Sequence, residues 1–155
     1  MNKYWIAAAA VFGLLLISTK TNMGATTGGV NNPGNIRNSG GVKFLGENSM
    51  PGDTFKSFKT LDYGIRAMYV ILNSYYSKYG LNTISDIINR WAPPSDNNPT
   101  TAYVGYVADK TGIDPLAVVT PSVHFPLMVS AMSKMEGRTL VTADVAGSVY
   151  NKFFA

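Results

Sequence analysis

Residues 62–80, DYGIRAMYVILNSYYSKYG, decide the fold class. Ile65, Met68, Tyr69, Leu72, Tyr75, Tyr76 and Tyr79 recur at i, i+3 and i+4 spacing, which places them on one face of an α-helix. Asp62 can cap its start, and Gly80 can stop it. The same pattern continues downstream. Thr83 can open a second helix with Ile84, Ile87, Ile88 and Trp91 as its buried face, and Pro93-Pro94 prevents its continuation. Asn98 followed by Pro99 is a cap and first-turn pair for a third helix, through Tyr103, Tyr106 and Val107 to Gly112. Asp114-Pro115 predicts a shorter one. A helix opening near Ser122 carries Leu127, Met128, Ala131, Met132 and Met135 and closes at Gly137, just after Glu136. The last runs from about Thr142 to Phe153 on Val145, Val149 and Phe153.

Upstream of the decisive helix, Val42-Lys43-Phe44-Leu45 and Thr54-Phe55-Lys56-Ser57-Phe58 alternate in polarity across a Gly-, Pro- and Asn-containing loop. That predicts a small two-stranded element. Five or six short helices with one β element make an α+β class, mainly helical, in a domain over residues 31–155. A chain of 155 residues with 46% hydrophobic side chains has room for one such domain, and 14% charged residues is too few for disorder.

Composition excludes several chemistries. With no cysteine there is no disulfide scaffold, thiol nucleophile, iron–sulfur cluster or cysteine zinc site. His124 is the single histidine, so two-histidine metal sites are excluded as well. No metal or organic cofactor is expected. The net charge is +4, falling to +2 without Lys3 and Lys20, which is not the balance of a nucleic-acid binder. A nucleic-acid contact rests on that mild charge alone.

Between Lys3 and Lys20 lie 16 uncharged residues, Tyr4 to Thr19. At about 1.5 Å per residue they reach roughly 24 Å, which snorkelling lysines can extend toward a bilayer core of about 30 Å. Tyr4 and Trp5 suit an interfacial aromatic belt. A cleaved signal peptide is the rival reading, but residues 18–25 offer no small-x-small cleavage site. The expectation is therefore an N-terminal transmembrane anchor over residues 1–20, N-terminus inside, and single-pass membrane localisation. Residues 21–30, with Gly24, Gly28 and Gly29 among small polar residues, read as a flexible linker.

Glu47 and Glu136 are the only glutamates. Glu136 falls where a helix ends, and the partial negative charge of the free carbonyls there disfavours a carboxylate. Met132, Met135 and Leu140 supply an apolar neighbourhood that disfavours it further. A carboxylic acid kept protonated near neutral pH can protonate a glycosidic oxygen. The plainer alternative is an exposed last-turn residue partnered with Lys134 or Arg138.

The run Asn31-Asn32-Pro33-Gly34-Asn35-Ile36-Arg37 resembles the Asn-rich, Gly-Ile-basic motif of cell-wall glucosaminidases and related lysozyme-like enzymes. Phe55-Lys56-Ser57-Phe58 and Tyr63-Gly64-Ile65-Arg66-Ala67-Met68 resemble the segments downstream of that motif in the same enzymes. Together with Gly80-Leu81-Asn82-Thr83-Ile84, Arg90-Trp91-Ala92-Pro93-Pro94, Asn97 to Tyr103 and Met135-Glu136-Gly137, the ordered blocks are similar to a family of short bacteriophage virion proteins, including those of tailless phages with an internal membrane. The resemblance covers roughly residues 31–137.

It implies a lysozyme-like domain, with Glu136 as the catalytic acid and Tyr103 matching a tyrosine that lines the sugar cleft. Asn31, Asn35 and Arg37 would bind amide and hydroxyl groups of an amino sugar. Equally, Asn-Pro-Gly-Asn is a plain turn sequence whose side chains bond their own backbone. In the enzymes the glutamate precedes the Asn-Gly-Ile motif, whereas Glu136 comes after it, so sharing the cleft requires a circular permutation. Without one, Glu47 is the remaining candidate acid. A hydrolase would need a second carboxylate, for which Asp62 and Asp96 are available.

These readings support two functions. One is a membrane-associated virion protein that degrades peptidoglycan, as a lytic transglycosylase or muramidase, to aid genome entry through the host wall. The other is a non-catalytic virion protein that uses the same fold to bind peptidoglycan or capsid subunits. Expected partners are peptidoglycan, a lipid membrane of the virion or the host inner membrane, and other virion proteins, with no specific nucleic acid.

Overall fold

In the computed structural model, which describes residues 29–39, 41–137 and 141–155, the tyrosine-rich stretch forms helix α1, Leu61–Tyr79. Gly80 stops it in the left-handed conformation, φ 66°, as its missing Cβ allows. Asp62 lies in the first turn and Thr60 takes the cap position without a side-chain bond. Helix α2, Ile84–Trp91, is capped by Thr83, whose hydroxyl accepts the Asp86 N–H. A single 3-10 turn at Pro94–Asp96 leads to α3, Thr100–Thr111. Helix α4 is Pro121–Met135 and α5 is Ala143–Phe154, the latter capped by Thr142.

Helix α4 packs on α1, α3 and α5, and α2 packs on α3. Ile65, Met68, Tyr69 and Leu72 of α1 are fully buried at the centre, with Ile84, Ile87, Ile88 and Trp91 of α2 and Phe125, Met128, Val129 and Met132 of α4. The Tyr69 hydroxyl donates to the Ala146 carbonyl at 2.8 Å, tying α1 to α5. Arg66 and Arg90 hold aromatic faces, Arg66 against Phe153 and Phe154 and Arg90 against Tyr75 and Tyr79. His124 accepts the Thr120 N–H on Nδ1, a local structural role at the start of α4.

Several expectations are corrected. Asp114-Pro115 opens a turn, closed by Ala117 N–H to the Asp114 carbonyl, and not a helix. Asn98 spends its amide on the Pro93 carbonyl and leaves α3 uncapped. The α+β class does not hold, because among the described residues there are helices and isolated bridges but no strand. The two alternating stretches do not pair with each other as a ladder. Residues 54–59 lie between two other segments, bonding residues 30–38 through Asn38, Lys56 and Phe58 N–H and residues 46–48 through Asn48 and Lys59 N–H. Left-handed turns at Asn31, Asn35 and Gly46 break each edge after one bridge. Val42, Lys43 and Leu45 are exposed, leaving Phe44 as the single buried side chain of its stretch. Without that sheet, the expected lysozyme-like α+β domain loses its basis.

The transmembrane anchor and the single-pass membrane localisation are corrected also. Among the described residues no helix is long and apolar enough to cross a membrane. Residues 1–20, on which the anchor was expected, lie outside the described residues, as do most of the expected linker and Leu140 and Arg138.

Candidate functional site

The asparagine run forms a loop pressed onto the helices. Asn32 is buried and fully engaged: its amide donates to the Ile36 and Lys56 carbonyls and its oxygen accepts the Ile36 N–H, each at 2.9 Å. Two glycines allow the close approach. A Cβ on Gly64 of α1 would fall 1.9 Å from the Asn31 carbonyl oxygen, and one on Gly34 would fall 2.8 Å from the Trp91 ring. Asn31 turns its amide to the Phe58 carbonyl at 3.0 Å. The loop is thus held by side-chain-to-backbone bonds, as a turn sequence of this composition can be.

One residue of this loop reaches across to the end of α4. Asn35, only 3% exposed, donates its amide to Glu136 Oε2 at 2.8 Å. From α3, the Tyr103 hydroxyl donates to Glu136 Oε1 at 3.1 Å and lies 3.4 Å from the Met132 carbonyl. Glu136 is the C-terminal cap residue of α4, half-buried, and Gly137 comes next in the left-handed conformation at φ 80°. Residues 101 positions apart in the chain therefore share a hydrogen bond.

Burial pushes the Tyr103 hydroxyl well above its ordinary range, and the neighbouring Glu136 carboxyl adds to that shift. The Trp91 indole offsets part of it from nearby, although its N–H makes no hydrogen bond of regular geometry. The Asn35 carbonyl oxygen likewise lacks a partner among the described residues. Tyr103 stays protonated at any physiological pH and serves as a permanent donor to Glu136. Its ring has no exposed surface, so it braces the carboxyl and does not line an open cleft.

The remaining candidates lie elsewhere. Arg37 is exposed and forms a backbone bridge with Phe55. Asp62 pairs with Lys152 on the surface at 2.8 Å, and Asp96 is exposed in the 3-10 turn. Glu47 is engaged in a buried ion pair with Lys56 at 2.9 Å and accepts the Phe44 N–H. Burial pushes its carboxyl up, but the Phe44 N–H, Lys56 and Ser49 together hold it below its ordinary value of 4.5. An ionised, fully bonded carboxylate is a structural group and a poor proton donor. Neither that pair nor the bracing role of Tyr103 is signalled by the sequence, since both depend on contacts between distant segments.

No family profile matches the chain. A bacteriophage protein does: Protein P5 of Pseudoalteromonas phage PM2 is 42% identical over 135 residues, covering 85% of this chain and 83% of that protein. The chain belongs to that bacteriophage protein family. The match bears on phage origin and carries no information on peptidoglycan.

Proposed function

We propose that the chain is a structural protein of a phage virion whose Glu136 site degrades host peptidoglycan, as a lytic transglycosylase or muramidase, and so aids genome entry. One observation carries this reading: Glu136 ends a helix and is gripped from two other elements, by Asn35 and by Tyr103. Fixing both oxygens of a carboxyl sets its orientation, which a general acid requires. Glu136 would protonate the glycosidic oxygen and take a proton back as the substrate's own hydroxyl closes an anhydro ring. That outcome needs one carboxyl, which suits a fold in which Asp62 is engaged by Lys152 and Asp96 lies in the 3-10 turn. Asn31 and Arg37 supply amide and guanidinium groups on the loop that carries Asn35.

A second reading has its own support. Two donors aimed at one carboxyl suit the ionised form, and Asn35 and Tyr103 are both buried, as in a joint that holds loop to bundle. In that case the protein binds wall or neighbouring virion subunits without cleaving. Zymography on purified peptidoglycan separates the two. Clearing by the wild type and none by Glu136→Gln is expected; equal clearing by both, or by neither, removes the catalytic role.

A further inference from the structure

Excess charge is not spread evenly over the fold. Residues 29–60 carry Arg37, Lys43, Lys56 and Lys59 against Glu47 and Asp53, whereas residues 61–155 carry seven basic and seven acidic side chains. All the net positive charge from residue 29 onward therefore sits in the N-terminal lobe. That lobe also contains a pocket of about 430 Å³, lined among others by Val42, Lys43, Glu47, Ser49, Met50 and Lys56.

The pocket has built polar walls. Lys56 and Glu47 are more than nine-tenths buried and hold each other in place at its inner side. Lys43 is exposed at the rim and makes no ion pair among the described residues. Val42 and Met50, 50% and 67% exposed, supply an apolar lip. Since Glu47 neutralises Lys56, the surplus among the lining side chains is one positive charge, that of Lys43, while Asp53 behind the lip is engaged by the Met50 N–H. One charge beside an apolar lip fits a monoanion on a short aliphatic arm better than a dianionic phosphate.

The pocket and the Glu136 site share one loop. Asn38 lines the pocket, and Asn38 is three residues beyond Asn35, so their Cα atoms are at most about 11 Å apart. A ligand that occupies both places must be extended and branched or chain-like.

We propose that this pocket is a second binding site, taking a carboxylate carried on a short alanyl- or lactyl-type arm, as in the peptide stem of a muropeptide. It rests on the reading of the Glu136 site as a peptidoglycan site and names the part of the substrate held outside the glycan. The sugar chain is gripped at the Asn35 loop, and the stem carboxylate meets Lys43 while its methyl groups cover Val42 and Met50.

The test is an NMR titration of the full-length, isotopically labelled chain with N-acetylmuramyl-L-alanine, whose free carboxylate sits on its alanyl arm. Chitotriose, which has no peptide or carboxylate, and inorganic phosphate are the comparison probes. Saturable shifts at Val42, Lys43, Ser49 and Met50 with the muramyl peptide alone are expected. Lys43→Glu should weaken them about tenfold, as loss of one charge-assisted contact does. Equal shifts with chitotriose, displacement by phosphate at matched concentration, an unchanged affinity in Lys43→Glu, or no shifts would each overturn the proposal. Glu136→Gln should keep the peptide-dependent shifts. Shifts without wall clearing leave the pocket standing and remove the catalytic reading, whereas clearing without shifts does the reverse.

Discussion

The lobe of residues 29–60 and the helical part of residues 61–155 are stabilised by different physics. Among the described residues, only Ile36, Phe44 and Phe58 of the lobe join the buried apolar core, and the rest of that core comes from the helices and the segments joining them. The lobe relies instead on Asn32, on the Glu47–Lys56 pair and on backbone bonds between three irregular segments. Apolar burial tolerates small shifts, because it is non-directional. Buried polar bonds do not, and each partner left unsatisfied costs about 1–3 kcal/mol. A region held this way is positioned accurately and fails abruptly.

The largest effect should come from separating the two regions. Gly64→Ala gains helix propensity but drives a Cβ into the Asn31 carbonyl, so a net loss of about 3 kcal/mol is expected in denaturant unfolding. A gain in stability would show that the lobe floats free of α1. Next is Lys56→Ala, which leaves Glu47 buried without its cation. The pair lines a surface pocket, so the loss falls near the low end for buried pairs, about 2–3 kcal/mol. Because the Glu47 carboxyl is held below its ordinary 4.5, its contribution is present above that pH and disappears as pH falls through the depressed value. Acid titration of stability should therefore drop below about pH 4.5 in the wild type and flatten in Lys56→Ala.

Tyr103→Phe removes one buried hydroxyl and its bond to Glu136. About 1.5 kcal/mol of stability should be lost, with the helical signal unchanged. A loss near zero would mean that the hydroxyl is not committed to the carboxyl. The smallest effect is expected within the bundle alone. Thr142→Ala deletes the cap of α5 and should cost about 1 kcal/mol, leaving the Asn35–Glu136 bond intact by NMR.

The same contrast explains what can be read from the sequence. Helices α1, α2 and α5 announce themselves by apolar spacing and by Thr83, Thr142 and Gly80, all local signals. The helix-ending position of Glu136 before Gly137 is legible for the same reason. The lobe reads falsely as a pair of strands, because alternation in residues 42–45 and 54–58 is the only local signal there. Its true organisation depends on Asn32 bonding Lys56, on left-handed asparagines and on a glycine fitted to Asn31, none of which alternation encodes. The meeting of Asn35, Tyr103 and Glu136 spans the whole fold and is approachable only through the family resemblance. That Tyr103 is wholly buried, and so braces Glu136, needs the packing of α3 on α4.

A carboxyl fixed by both regions is proposed to cleave the host wall, and release of soluble muropeptides from purified peptidoglycan tests this most directly. The comparison is between wild type, Glu136→Gln and Asn35→Ala at matched thermal stability. Release by the wild type is predicted, with none by Glu136→Gln and a rate reduced about tenfold or more by Asn35→Ala, as misplacing a catalytic group does. Release by Glu136→Gln at the wild-type rate, or binding to the wall with no release by any of the three, would contradict the catalytic role of Glu136.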